Sequence, residues 1–152
     1  MATVGQASAV GLQRLTARFV ENGAGTYTAD FIIPAGSEIY DICVTAEALW
    51  TAATSAALTV GEVASASGFV SSVNLKATDL LAGENISLQS TQVRGGTTGA
   101  YTTVGTSTHF GPRYSASERT VTATVTSVGA GTAGRTRVSV LFFGPQSTEI
   151  TQ

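Results

Sequence analysis

The strongest constraint on the fold is the alternation of side chains in residues 27–50, whose sequence is YTADFIIPAGSEIYDICVTAEALW. A first alternating stretch ends at Pro34, and a longer one follows Gly36. A period of two is typical of a strand with one face in a core and the other in water. Pro34 and Gly36, in the second and fourth places of a turn, predict a type I turn between two strands. Beyond it, Tyr40 is expected on the buried face and Asp41 on the other.

Several further segments are predicted to be strands: residues 12–20, 56–63, 86–93, 119–128 and 135–143, with a weaker strand in 101–108. The clearest is 119–128, in which Val121, Ala123 and Val125 are expected to face inward while threonines face outward. Two hairpins are predicted. The first joins residues 12–20 to the next strand across residues 22–25, and the second joins 119–128 to 135–143.

Only residues 72–81 fit a helix, of one or two turns, and they fit an irregular loop equally well. A chain with about eight strands and at most one short helix is predicted to be all-β, and specifically an antiparallel β-sandwich or jelly roll. We expect three parts: an N-terminal arm of residues 1–11, a sandwich domain of residues 12–145, and a C-terminal tail of residues 146–152.

Charged side chains make up only 12% of the 152 residues, and Lys76 is the only lysine. Such a surface of hydroxyls and small side chains is easily desolvated and favours broad contacts between subunits. The alternative is that it simply reflects the threonine-rich exposed strands common in all-β domains. A net charge of −2 without a basic run argues against nucleic acid, and no signal peptide or membrane span is expected. The single Cys43 indicates synthesis in a reducing cytoplasm, or no need for a disulfide.

The sequence offers little that could carry out catalysis or bind a cofactor or metal. Residues 129–134 have the G-x-G-x-x-G spacing, but a strand follows them instead of the helix that a dinucleotide site requires. His109 is the only histidine, so a metal cluster is not expected. Asp41 and Glu47 fall on one face of a strand, where exposed carboxylates are ordinary. We therefore predict no catalytic, cofactor-binding or metal-binding residues and no enzyme activity.

Four arginines are candidates for contacts with neighbouring subunits: Arg14, Arg18, Arg135 and Arg137. They alternate along the first and last long strands, and guanidinium groups pair well with carboxylates across an interface. The alternative, a solvated strand face, has equal weight.

Four short motifs resemble the small β-sandwich virion proteins of tailed bacteriophages. They are F-I-I-P-A-G-S-E-I-Y-D-I-C-V in residues 31–44, A-L-T-V-G-E within residues 56–62, G-F-V in residues 68–70 and V-S-V-L-F-F in residues 138–143. The resemblance covers about half of the chain and is closest to the capsid decoration, or cement, proteins.

The resemblance implies a jelly-roll-like homotrimer that is made in the host cytoplasm and lies on the capsid exterior. There it would bind the major capsid protein lattice and stabilise the head. It implies no catalytic residues and no cofactor. An alternative within the same class of phage proteins is a tail or head-fibre domain that recognises host glycans. Its contacts would then be the aromatic residues Trp50, Tyr101 and Tyr114 together with His109.

Overall fold

Two antiparallel sheets make up the protein, which we describe from a computed structural model that covers residues 11–88 and 113–145. The strands are β1 (Leu12–Val20), β2 (Gly25–Ile33), β3 (Ser37–Ala48), β4 (Ser55–Glu62), β5 (Ser65–Asn74), β6 (Asn85–Ile86), β7 (Tyr114–Ser115), β8 (Arg119–Val128) and β9 (Arg135–Phe143). The described residues contain no helix. The predicted all-β sandwich is therefore confirmed, with nine strands of which two are only two residues long.

The strand order is that of a jelly roll. Sheet A has the order β1-β9-β3-β6, with β7 paired to one end of β3, and sheet B has the order β2-β8-β4-β5. If β7 is set aside, the chain passes from one sheet to the other after every strand except β4, which is followed by its own partner β5. This crossing pattern is the double-sheet jelly roll.

Both predicted hairpins are wrong. β1 pairs with β9 and β2 pairs with β8, while β8 and β9 lie in different sheets. A glycine-rich turn indicates only that the chain reverses direction. In a sandwich the returning strand can join the opposite sheet, about 10 Å away, instead of pairing with the strand that precedes the turn. The hairpin that does form, β4 to β5, has a two-residue connection at Val63 and Ala64 that the sequence analysis did not predict.

The turn between β2 and β3 lies one residue later than predicted. The Ser37 amide donates to the Pro34 carbonyl at 3.2 Å, so Pro34 is the first residue of the turn and Gly36 the third. Gly36 has a φ of 75°, which the third place of a type II turn requires and which glycine adopts without strain.

The core lies between the two sheets and follows the predicted alternation closely. Val121, Ala123 and Val125 of β8 are fully buried, and Phe31 and Ile33 of β2 pack opposite sheet A. The exception is the start of β3, where the pairing with β9 shifts between Ile39 and Asp41. This bulge turns Tyr40 outward, against the prediction. Asp41 stays on the outward side of the sheet, as predicted, but it is buried there instead of exposed.

Residues 75–84 form an irregular loop, so the helix considered for residues 72–81 is absent. The loop is held by backbone bonds to β3 at Ala46, to Trp50 just beyond β3, and to β4 at Ala56. It therefore closes one side of the sandwich. Within residues 11–88 and 113–145, no helix has the length and hydropathy needed to cross a membrane. The predicted arm and tail, apart from Gly11, and the weak strand at 101–108 lie outside the described residues.

Candidate functional site

The outward side chains of sheet A form what we call the arginine face. It carries Arg14, Arg18, Arg135, Arg137 and Glu47 on strands β1, β9 and β3. In the register of β1 with β9, Arg18 lies directly opposite Arg137, and Arg135 lies opposite Val20. The pairing of β1 with the last strand thus brings together four arginines that are far apart in the sequence.

Glu47 lies between two of these arginines. Its Oε2 accepts from the Arg18 Nε at 2.6 Å, and its Oε1 contacts the Arg137 Nη2. Glu47 is desolvated, which would raise its pKa, but hydrogen bonds from Arg18 and Arg137 outweigh this and the net pKa is lowered. The carboxylate relieves the repulsion between guanidinium groups that the strand register places side by side.

We expect the pKa of Glu47 to rise when one of its partners loses its charge. In the Arg137→Gln variant the remaining ion pair with Arg18 should hold the carboxylate less strongly. The measurement is an NMR titration of the side-chain carboxyl carbons in both proteins. An unchanged Glu47 midpoint would show that the Arg137 contact is absent in solution.

The other two arginines have no carboxylate partner among the described residues. The Arg14 Nε donates to the Thr16 and Ser139 hydroxyls at 3.0 and 3.2 Å. The Arg135 side chain is exposed and has no hydrogen-bond or ion-pair partner within the described part of the chain. Whether any of the four arginines contacts another subunit stays a prediction.

One end of the arginine face is apolar, and we call it the aromatic end. Leu12 pairs with Phe143 across β1 and β9, and Glu38 pairs with both Phe143 and Tyr114. Tyr40, turned outward by the bulge, makes an edge contact with the Phe143 ring at 5.6 Å between centroids. Leu12, Tyr40, Tyr114 and Phe143 are each at least 43% exposed. The face therefore combines an arginine band with an adjoining group of exposed apolar side chains.

The outward side chains of sheet B form a chemically different surface, which we call the threonine face. Its central rows pair Thr26 with Thr126, and Thr28 with Thr124 and then Thr59. Its one carboxylate on β2, Asp30, accepts from the Thr122 hydroxyl at 2.7 Å. The two exposed faces of the sandwich thus differ in charge, and most of the arginine lies on one of them.

The most heavily hydrogen-bonded side chain in the described structure is Glu21, which the sequence analysis did not single out. It is only 2% exposed. Its carboxylate accepts from the Thr51 amide and hydroxyl, both at 2.9 Å, and from the Ala52, Ala133 and Gly134 amides at 2.8, 3.1 and 2.9 Å. Glu21 therefore fastens the end of β1 to two loops, the one after β3 and the one between β8 and β9.

These contacts explain the G-x-G-x-x-G spacing of residues 129–134. A Cβ on Gly131 would collide with the Glu21 carboxylate, and one on Gly134 would lie 2.5 Å from the Trp50 ring. The glycines let the loop backbone approach a buried carboxylate and an indole ring. Packing therefore accounts for this glycine spacing without a bound dinucleotide.

Asp41 and Cys43 are also occupied by the fold. The Asp41 Oδ1 accepts from the Ile42 and Leu88 amides, both at 2.8 Å. Burial of the Cys43 thiol, with further contributions from the charge of Asp41 and a hydrogen bond to it, raises the pKa of Cys43 to about 11. Asp41 therefore serves to anchor the segment that follows β6, and Cys43 is protonated at neutral pH.

We expect Cys43 to react slowly with thiol reagents in the folded protein. The thiolate is the nucleophile, and a pKa near 11 leaves about one thiol in a thousand ionised at pH 8. The rate of modification by a chromogenic disulfide at pH 8 should rise at least about tenfold when the protein is unfolded in guanidinium. Equal rates in the folded and unfolded protein would contradict the half-buried position of this thiol beside Asp41.

The aromatic residues of the alternative glycan site are not brought together in the described structure. Trp50 is 2% exposed, and its Nε1 donates to the Thr136 hydroxyl at 2.8 Å, so it is a core residue and the prediction of Trp50 as a sugar contact is wrong. Tyr114 is exposed, while Tyr101 and His109 lie outside the described residues. In residues 11–88 and 113–145 no group of three or more metal-binding side chains occurs.

The fold is shared with chains of two phage capsid structures. A chain of the acid-stable capsid of Helicobacter pylori bacteriophage KHP30 has a TM-score of 0.59 and 15% identity, and the similarity covers 96% of this chain and 95% of that one. A chain of the capsid asymmetric unit of cyanophage Pam1 has a TM-score of 0.54 and 19% identity, over 95% and 91%. This chain has a fold found in phage capsids. No protein-family model and no curated protein matches its sequence.

Proposed function

We propose that the protein is a capsid decoration protein of a tailed phage, which binds the major capsid protein lattice and stabilises the head. The observation that carries the proposal is the near full-length likeness of its fold to chains of two phage capsids. Because more than nine-tenths of each chain is covered, the similarity extends over nearly the full length of both chains and is not limited to one part of them. The motifs in residues 31–44 and 138–143 that resemble phage virion proteins point the same way.

The surface chemistry supports a role in permanent assembly. A decoration protein stabilises a particle through many copies, each covering a modest area, so that its contact surfaces must be desolvated at low cost. Charged residues are only 12% of the chain, so that little of its surface carries strongly hydrated groups. Closed point-group symmetry is the rule for such assemblies, and the proposed state is a trimer on the capsid exterior.

We also infer that the protein has no catalytic activity of its own. The carboxylates that the sequence offered as candidates are engaged in structural contacts, Asp41 with two backbone amides and Glu47 with two arginines. A carboxylate already holding such partners is poorly placed to act as a general acid or base.

The test is reconstitution on heads of the encoding phage that lack the protein. Purified protein should co-sediment with the heads at a fixed copy number, and decorated heads should release their DNA at a higher temperature than bare heads. Multi-angle scattering of the free protein measures its oligomeric state. Protein that leaves the heads in the supernatant at every concentration would contradict the proposal, and a hit on a glycan array by the same preparation would favour the host-recognition alternative.

A further inference from the structure

We propose that the arginine face, with its aromatic end, is the surface that docks on the particle, and that its partner there is a carboxylate-bearing protein surface. The proposal rests on the proposed function and assigns to it one of the two faces of the sandwich. The face bears four arginines, half of the eight basic residues of the chain. The threonine face offers no comparable charge.

Among the exposed side chains of the arginine face, positive charges outnumber negative charges. Three carboxylates share it with the arginines, but Asp41 is buried and bonded to amides, and the Glu47 side chain is only 15% exposed. The remaining carboxylate, Glu38, lies at the aromatic end. By contrast the Arg18 and Arg137 side chains are 53% and 44% exposed, and Arg14 and Arg135 have no carboxylate within the described part of the chain.

Two features of the arginines on the arginine face favour binding to carboxylates. Two of the guanidinium groups are already ordered, since Arg18 and Arg137 are adjacent in the register and are both held by Glu47, so these two lose little side-chain entropy on docking. Guanidinium groups are weakly hydrated and match a carboxylate with two parallel hydrogen bonds. A partner carrying two or more carboxylates opposite Arg14 and Arg135 would supply the ion pairs that these two arginines do not make within the described residues.

The aromatic end favours protein over nucleic acid as the partner. Leu12, Tyr40 and Phe143 place exposed apolar area beside the arginines, and interfaces between proteins combine aromatic and arginine residues in this way. A phosphate backbone would make no favourable contact with these apolar side chains and would be repelled by the exposed Glu38 carboxylate. The net charge of −2 also opposes approach to DNA.

The test compares two double variants that change the net charge equally. Arg14→Gln with Arg135→Gln removes two positive charges from the arginine face. Thr28→Glu with Thr120→Glu adds two negative charges to the threonine face, at exposed positions that are not paired with each other. Circular dichroism establishes that each variant is folded. Binding to bare heads is measured between 50 mM and 500 mM salt, and binding to duplex DNA is measured as a separate arm.

We expect the arginine variant to bind heads about tenfold more weakly at low salt, with a shallower salt dependence, and the threonine variant to stay within about twofold of the wild type. An arginine variant that binds as tightly as the wild type, or a threonine variant that alone loses binding, would overturn the choice of face while the proposed function stands. Arginine-dependent binding to DNA instead of heads would overturn the choice of partner. If the wild type binds no heads, both proposals fail.

Discussion

Replacing Glu21 with Gln should lower the free energy of unfolding by about 2–4 kcal/mol. One oxygen of this carboxylate accepts four hydrogen bonds and the other accepts one, from two separate loops. An amide keeps one acceptor oxygen, but its NH₂ group would face a backbone N–H that has no other partner among the described residues. Removing the charge also weakens the remaining bonds, since hydrogen bonds to ionised groups are about twice as strong as neutral ones.

The measurement is guanidinium denaturation followed by the fluorescence of Trp50, the only tryptophan. Trp50 lies beside Gly134, one of the residues that bonds to Glu21, so its emission reports on the region concerned. Glu38→Gln is the matched control, because it removes the same charge from an exposed position on β3, where surface charges contribute little. Equal losses in the two variants would show that the Glu21 contacts are not special.

The Glu21 contribution should also depend on pH. Burial raises the pKa of Glu21, but hydrogen bonds from Thr51, Gly134 and Ala52 outweigh it, and the folded pKa lies below the usual value of 4.5. The stabilisation is therefore fully present above about pH 4.5 and is lost as the pH falls through the folded pKa. Between pH 6 and pH 3 the wild type should lose more stability than Glu21→Gln. Parallel losses would show that Glu21 has an ordinary pKa in the folded state.

Replacing Trp50 with Ala should cost about 3–5 kcal/mol. The ring is buried against the β8–β9 loop, contacts the edge of Tyr27 at 5.4 Å between centroids, and donates a hydrogen bond to Thr136. Alanine would leave a cavity and an unpaired buried hydroxyl. Because the variant has no tryptophan, its unfolding is followed by circular dichroism.

Tyr114→Ala is the control for Trp50→Ala, since Tyr114 is an aromatic residue with 61% exposure and should change stability by less than about 0.5 kcal/mol. A small effect at Trp50 would contradict its position in the core. It would also reopen the glycan-binding alternative, which requires an exposed ring at this position.

Most of the long strands could be predicted because each carries its own signal, but β5 (Ser65–Asn74) was not predicted, since its serine-rich start has no apolar alternation. Alternation in β8 reflects one buried and one exposed face, and this local pattern was enough to place Val121 and Val125 correctly. The pairing of strands could not be predicted in the same way. β1 joins β9, more than a hundred residues later, and no local pattern distinguishes that partner from the nearer β2. The bulge that exposes Tyr40 is likewise set by the register with β9.

The candidate site was predicted in part. Alternation along two strands indicated that Arg14 and Arg18 share a face, as do Arg135 and Arg137. That all four lie on the same face of one sheet depends on the pairing of β1 with β9, which was not predicted. The Glu21 cluster was missed because its partners are 30 to 113 residues away. Two sequence features could have indicated the cluster. One is the carboxylate Glu21 at the end of a predicted strand, and the other is the glycine-rich segment 129–134, whose spacing is not explained by dinucleotide binding.

The positions of β8 and β9 in the strand order have a consequence for biosynthesis. Each is an interior strand, β8 between β2 and β4 and β9 between β1 and β3. Of the long strands, only β4 and β5 can therefore pair while residues 119–143 are still within the ribosome. Completion of both layers waits until residues 119–143 have left the ribosome, which makes folding slow and leaves the nascent chain open to aggregation. A product terminated before residue 119 would lack the middle strand of each layer and could not form the sandwich.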